Sequence, residues 1–154
     1  AYVGKSKLTG EVIERDSGIA IIQVYEETEG LKLHEKVEFT GEMLTAMLGP
    51  GLIGSIYDGI QRPLELAGTR IEKGLKLDPL NKEKQWFFRP MVKVNDILEQ
   101  GALIGIVTGE NSFEYKILVP PQKNGTIAFV AKEGEYALDD VLIELDNGET
   151  LSMI

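Results

Sequence analysis

Gly101-Ala102-Leu103-Ile104-Gly105-Ile106-Val107-Thr108, then Glu114-Tyr115-Lys116-Ile117-Leu118-Val119-Pro120-Pro121, then Gly125-Thr126-Ile127-Ala128-Phe129-Val130, is the stretch that decides the fold class. Each run is short, rich in apolar residues, and bounded by glycine or proline. Strands repeated at such short intervals predict an antiparallel barrel or sandwich. Working outward, Val141 to Leu145 reads as one more strand on the C-terminal side. Trp86-Phe87-Phe88 and Val92 to Val94 read as two more on the N-terminal side. The half also repeats itself weakly, at an offset of about 39 residues. Lys93-Val94-Asn95-Asp96-Ile97 leads into Gly101 to Ile106, as Lys132-Glu133-Gly134-Glu135-Tyr136 leads into Asp140 to Leu145.

The first half reads differently. Glu11 to Arg15 and Ile19 to Tyr25 predict two strands joined at Asp16-Ser17-Gly18, where glycine supplies positive φ. Ile19 to Tyr25 is nearly all apolar, so both of its faces are expected to be covered. Lys36 to Phe39 is a further short strand. Gly49-Pro50-Gly51 cannot continue a helix and reads as a tight turn. Ile53, Ile56, Tyr57 and Ile60 fall at i, i+3, i+4 and i+7, which predicts a helical segment ended by Pro63. Between Ala67 and Asn81 the patterning weakens. We therefore expect a boundary near Leu66 to Gly68, between residues 1–66 with their connecting helix and residues 67–154 as a second β domain.

Composition narrows the chemistry. The 154 residues carry a formal net charge of −9, with no cysteine and one histidine, His34. An acidic chain lacks the basic footprint that nucleic-acid binding needs, and it suits a basic protein partner. Without cysteine there is no disulfide or thiolate chemistry, and zinc sites built from several His and Cys are excluded. No apolar run is long enough for a membrane-spanning helix, so no direct membrane insertion is expected. The sequence starts without Met and stops on an apolar stretch, Leu151-Ser152-Met153-Ile154, so both ends read as cut from a longer chain.

No familiar catalytic grouping is present. There is no G-x-x-x-x-G-K-[ST] loop and no G-x-S-x-G elbow. Neighbouring carboxylates Glu26-Glu27 and Asp139-Asp140 point apart in extended chain and read as solvated edges. His34 reads as a surface residue. Two polar-aromatic clusters remain. Tyr57, Asp58, Gln61 and Arg62 form one, read either as an interface or as a buried end where Asp58 holds Arg62. Trp86 and Phe88 anchor the other, read either as an interface or as an aromatic core strand.

The run Ile22-Gln23-Val24-Tyr25-Glu26-Glu27-Thr28, with Gly30-Leu31-Lys32, resembles the catalytic A subunit of V-type and archaeal-type rotary ATPases. So does the longer and more specific run from Leu48-Gly49-Pro50-Gly51 through Tyr57-Asp58-Gly59-Ile60-Gln61-Arg62-Pro63-Leu64. Glu83-Lys84-Gln85-Trp86, Phe88, Pro90 and Tyr115-Lys116-Ile117-Leu118-Val119-Pro120-Pro121 extend the likeness over essentially the whole chain. Leu33-His34-Glu35-Lys36 departs from the family's usual Pro-Gly-Glu-Pro, and Leu44 to Leu48 and Leu77 to Asn81 depart as well.

The resemblance implies a mainly β fold: part of the N-terminal β-barrel, then the non-homologous (bulge) domain with a barrel-sandwich-hybrid character. It implies no catalytic, cofactor or metal residue in this segment. ATP and Mg belong to the parent, which couples ATP hydrolysis or synthesis to H⁺ or Na⁺ transport at the cytoplasmic face of a membrane. Other subunits of the ATPase head and the peripheral stalk are the implied partners. Two readings compete with it. A lipoyl- or biotinyl-carrier-like module would need a lysine at an exposed hairpin tip, with Lys116 the nearest candidate. A β-sandwich could instead bind a small ligand near Trp86 to Phe88.

Overall fold

Ser17 and Gly18 adopt φ values of 45° and 85°, and the chain reverses there between its first two long strands. The computed structural model describes residues 1–68, 71–109 and 113–154. They are almost entirely β, with antiparallel pairing throughout. By contacts the chain divides into two units. The first comprises Ala1–Ala46 and Ile56–Pro79, the second Met47–Ser55 and Leu80–Ile154.

In the first unit, β1 (Tyr2–Val3), β2 (Leu8–Asp16), β3 (Ile19–Val24) and β4 (Val37–Glu38) make a sheet of order β3-β2-β1-β4. The β2–β3 register shifts between Val12 and Glu14, a bulge that re-aims the outer half of the hairpin. Its apolar residues are not covered on both faces as the composition suggested. Ile19 is 70% exposed and Ile13 60% exposed. A two-sided apolar strand needs a layer on each face, and within this unit only one face of the hairpin has one.

The helix expected over 53–60 is absent. Gly54 takes φ 94°, and Gly59 lies in a turn that Asp58 closes. The backbone instead folds into a loop, with a β-bridge between Tyr57 and Pro63. Pro63 begins rather than ends the helical piece, since the short α1 (Leu64–Ala67) follows it. The boundary expected near Leu66 to Gly68 falls inside the first unit. Residues 72–76 return to its strands: Gly74 N–H donates to Glu26, and Lys76 stacks 4.0 Å over the Tyr2 ring.

The second unit has two four-stranded sheets. One has the order β10-β5-β7-β8 and the other β12-β11-β9-β6. The strands are β5 (Trp86–Pro90), β6 (Ile97–Leu98), β7 (Leu103–Thr108), β8 (Glu114–Leu118), β9 (Gly125–Val130), β10 (Gly134–Tyr136), β11 (Ile143–Leu145) and β12 (Thr150–Leu151). The internal repeat becomes an exchange. The first copy puts β7 in one sheet and β6 in the other, and the second copy puts β11 and β10 in the reverse pair. Val92 to Val94 is not a strand. Asp96 accepts the Lys93 N–H at 2.8 Å and Asn95 turns at φ 73°, so pairing resumes only at β6.

The core between these sheets is one apolar cluster. Phe88, Ile104, Val107, Leu138, Leu142 and Ile143 have no exposed surface. Gly105 is a steric requirement of that cluster, because a Cβ there would collide with the Phe88 ring.

Candidate interaction site: the Arg62 charge cluster

Asp58, Gln61 and Arg62 lie on the loop that closes with the Tyr57–Pro63 bridge. Asp58 organises it. Its Oδ1 accepts the backbone N–H groups of Ile60 at 3.1 Å and Arg62 at 2.9 Å. Its Oδ2 accepts Arg62 Nε at 2.7 Å. Gln61 takes φ 61°, as so tight a turn requires, and its N–H donates to the Asp58 carbonyl. Arg62 Nη1 then reaches 36 positions back along the chain to Glu26 Oε2, at 3.0 Å. Glu26 also accepts the Gly74 N–H at 2.8 Å and the Thr9 N–H at 3.4 Å. One guanidinium and two carboxylates thus join β2, the exit of β3, the 58–62 loop and the 72–75 segment.

The cluster is dry. The side chains of Arg62, Glu26 and Asp58 retain 10%, 6% and 16% of their exposure. Burial alone would raise the Asp58 carboxyl. The hydrogen bonds from Arg62 and Ile60 and the Arg62 charge outweigh that and hold it below the ordinary carboxylate range. Burial likewise works against the Arg62 charge, and its bonds to Asp58 and Glu26 more than compensate. Every charge here meets an opposite one at hydrogen-bond distance, so the arrangement fixes backbone and has no spare group for proton transfer.

The six residues singled out from the sequence separate accordingly. Asp58 and Arg62 meet, and Tyr57 and Gln61 flank them, half-buried. Trp86 and Phe88 belong to the other unit and face its core, while Phe87 between them is 43% exposed. Both are buried, as the core-strand reading of that run expects. Glu26 is the member of the cluster that the sequence reading missed. Read as a solvated edge beside Glu27, it is instead half-buried with its carboxylate turned in to Arg62, and of the pair Glu27 is the exposed one. No local signal marks it, because its partner is remote in sequence.

Lys116 is mid-strand in β8, paired opposite Ile106, and the β7–β8 connection at 109–113 contains no lysine. Lys116 therefore does not sit at a hairpin tip. Trp86 packs edge-on against Tyr115 and Phe88 against Tyr136, so both rings are taken up by contacts within the unit. An apolar groove of about 950 Å³ does exist in the second unit, lined by Leu48, Ile53, Leu118, Pro120 and Met153. Gly49 to Gly51 forms no phosphate cradle: Pro50 has no N–H, and Gly51 packs on the Trp86 ring. No helix among the described residues is long and apolar enough to cross a membrane.

Residues 77–154 match the ATPsynthase alpha/beta subunit barrel-sandwich domain. The chain belongs to the ATP synthase alpha/beta family. Residues 2–41 match the beta-barrel domain of the same family. Among relatives, the A subunit of the A-type ATP synthase of Desulfurococcus sp. (strain SY) is 46% identical over 147 residues, covering 93% of this chain and 25% of that protein. Its namesake in Thermococcus sibiricus is 44% identical, covering 96% of this chain and 26% of that protein. That of Halobacterium salinarum is 40% identical over 99% of this chain and 27% of its own length. The chain spans about a quarter of the length of these relatives.

Proposed function

We propose that this chain is a non-catalytic interaction part of the A subunit of an A-type or V-type ATP synthase. The observation that carries the reading is the ordered match of both units to one family. With it goes 40–46% identity, over nearly the whole chain, to the A subunits of A-type ATP synthases. In this reading the parent couples ATP hydrolysis or synthesis to H⁺ or Na⁺ transport, and its ATP and Mg are bound by residues outside this chain. The first unit serves as barrel and contacts neighbouring subunits of the head. The second unit serves as the bulge and meets the peripheral stalk. The site of action is the cytoplasmic face of a membrane, without insertion into it. The open apolar face of the β2–β3 hairpin favours a protein neighbour on the first unit.

The test uses the assembled complex. A photo-crosslinking residue is placed at Glu144, on the exposed side of β11, or at Ile19, on the open face of β3. Adducts with a component of the peripheral stalk from position 144, and with one of the head from position 19, are expected. Adducts with neither group at both positions overturn the reading. Specific ATP turnover by the purified chain would overturn its non-catalytic part.

A further inference from the structure

The second unit contains two Asn-Gly pairs, Asn124-Gly125 and Asn147-Gly148. In this pair the next backbone nitrogen can attack the asparagine side chain with little hindrance, since glycine has no Cβ in the way. The fold treats the two very differently. Asn147 lies in the turn between β11 and β12, and its carboxamide is held. Oδ1 accepts the Glu149 N–H at 2.9 Å, and Nδ2 donates to Glu149 Oε2 at 3.1 Å and to the Asn124 carbonyl at 3.4 Å. The attacking nitrogen is engaged as well, because Gly148 N–H donates to the Leu145 carbonyl at 3.0 Å. Asn124 is exposed just ahead of β9, and among the described residues its carboxamide has no hydrogen-bond partner.

We propose that Asn124 is a site of spontaneous deamidation and isoaspartate formation, and that the fold protects Asn147 from the same reaction. The Gly125 nitrogen bonds to Asn124 Cγ. The Cγ–Nδ2 bond breaks, and the amide leaves as ammonia carrying the proton lost from Gly125. The cyclic imide then takes up one water at either carbonyl, giving aspartate or isoaspartate, with no change of oxidation state. The isoaspartate product adds a backbone carbon immediately before Gly125. There Leu98 pairs with Gly125 and Ile97 with Thr126, so the β6 edge of the sheet is displaced. Either product adds a carboxylate beside Lys123, which is already paired with Glu149 at 2.7 Å.

The experiment incubates the intact protein at mildly alkaline pH, native or in denaturant. Peptide mapping follows the amide-to-acid mass gain at each asparagine. Isoaspartyl methyltransferase with labelled S-adenosylmethionine counts the isoaspartate. In the native protein Asn147 must first give up its hydrogen bonds, so Asn124 converts faster by roughly tenfold or more. In denaturant the difference collapses, and Asn124→Gln removes most native methyl acceptance. Equal or faster conversion at Asn147 in the native protein overturns the proposal. So does an undiminished difference in denaturant, which would place the preference in local sequence, and so does an unmodified Asn124.

Discussion

The two units are built on opposite principles. The second encloses a continuous apolar cluster from Leu80 to Met153. The first buries only two hydrophobic side chains among its described residues, Leu8 and Ala67, and sets beside them a charged one, Arg62. One unit is held by non-directional burial, which tolerates local change as long as volume is conserved. The other is held at a point where three charged groups and several backbone donors must coincide, so a single deletion leaves a buried charge unpaired. The first unit also leaves Met43 82% and Phe39 61% exposed, surface that a neighbouring protein would cover.

The largest expected effect breaks the apolar side of the comparison. Phe88→Ala removes a ring with no exposed surface and is expected to cost about 3–5 kcal/mol. Denaturant unfolding followed by Trp86 fluorescence reads it in the same core. A loss below about 1 kcal/mol would mean that the cluster does not hold the unit. Next comes Arg62→Ala, which strands the Glu26 and Asp58 carboxylates. A loss of about 3 kcal/mol is expected, confined to the first unit, with Trp86 fluorescence unchanged at the same denaturant concentration. Glu26→Gln should cost less than Arg62→Ala, since an amide oxygen in the place of Oε2 still accepts from Gly74 and Arg62, while the charge and the weaker Thr9 bond to Oε1 are lost. The smallest effect is expected from Lys123→Ala. Its pair with Glu149 is about a third exposed at both ends, so the change stays within about 1 kcal/mol.

How far the sequence led depended on how local the determinants were. The strands around Ile104, Ile117 and Ile127 were legible because each is a short apolar run bracketed by glycine or proline. The Ser17-Gly18 reversal was legible because its residues tolerate the required φ. The helix expected over 53–60 failed because eight residues of period are a weak signal with Gly54 and Gly59 inside them. Asp58 and Gln61 then offered the backbone a competing turn. Coverage of Ile19 to Val24 was misjudged because apolar composition shows that a partner is needed, not that this unit supplies it. The Asp58–Arg62 pair was legible at i+4. Glu26 was not, since nothing local separates it from Glu27.

Acid tests the contrast most directly. Asp58 sits below its ordinary value of 3.8, so its contribution is fully present above that pH and is lost as pH falls through the depressed folded value. Hydrogen-exchange protection factors, measured residue by residue while pH is lowered through the carboxylate range, report both units at once. The account predicts that the Ile60, Arg62 and Gly74 amides lose protection first, while those of Ile104, Val107 and Ile143 keep theirs. Loss of protection in both units at the same pH, or in the apolar unit first, would contradict it.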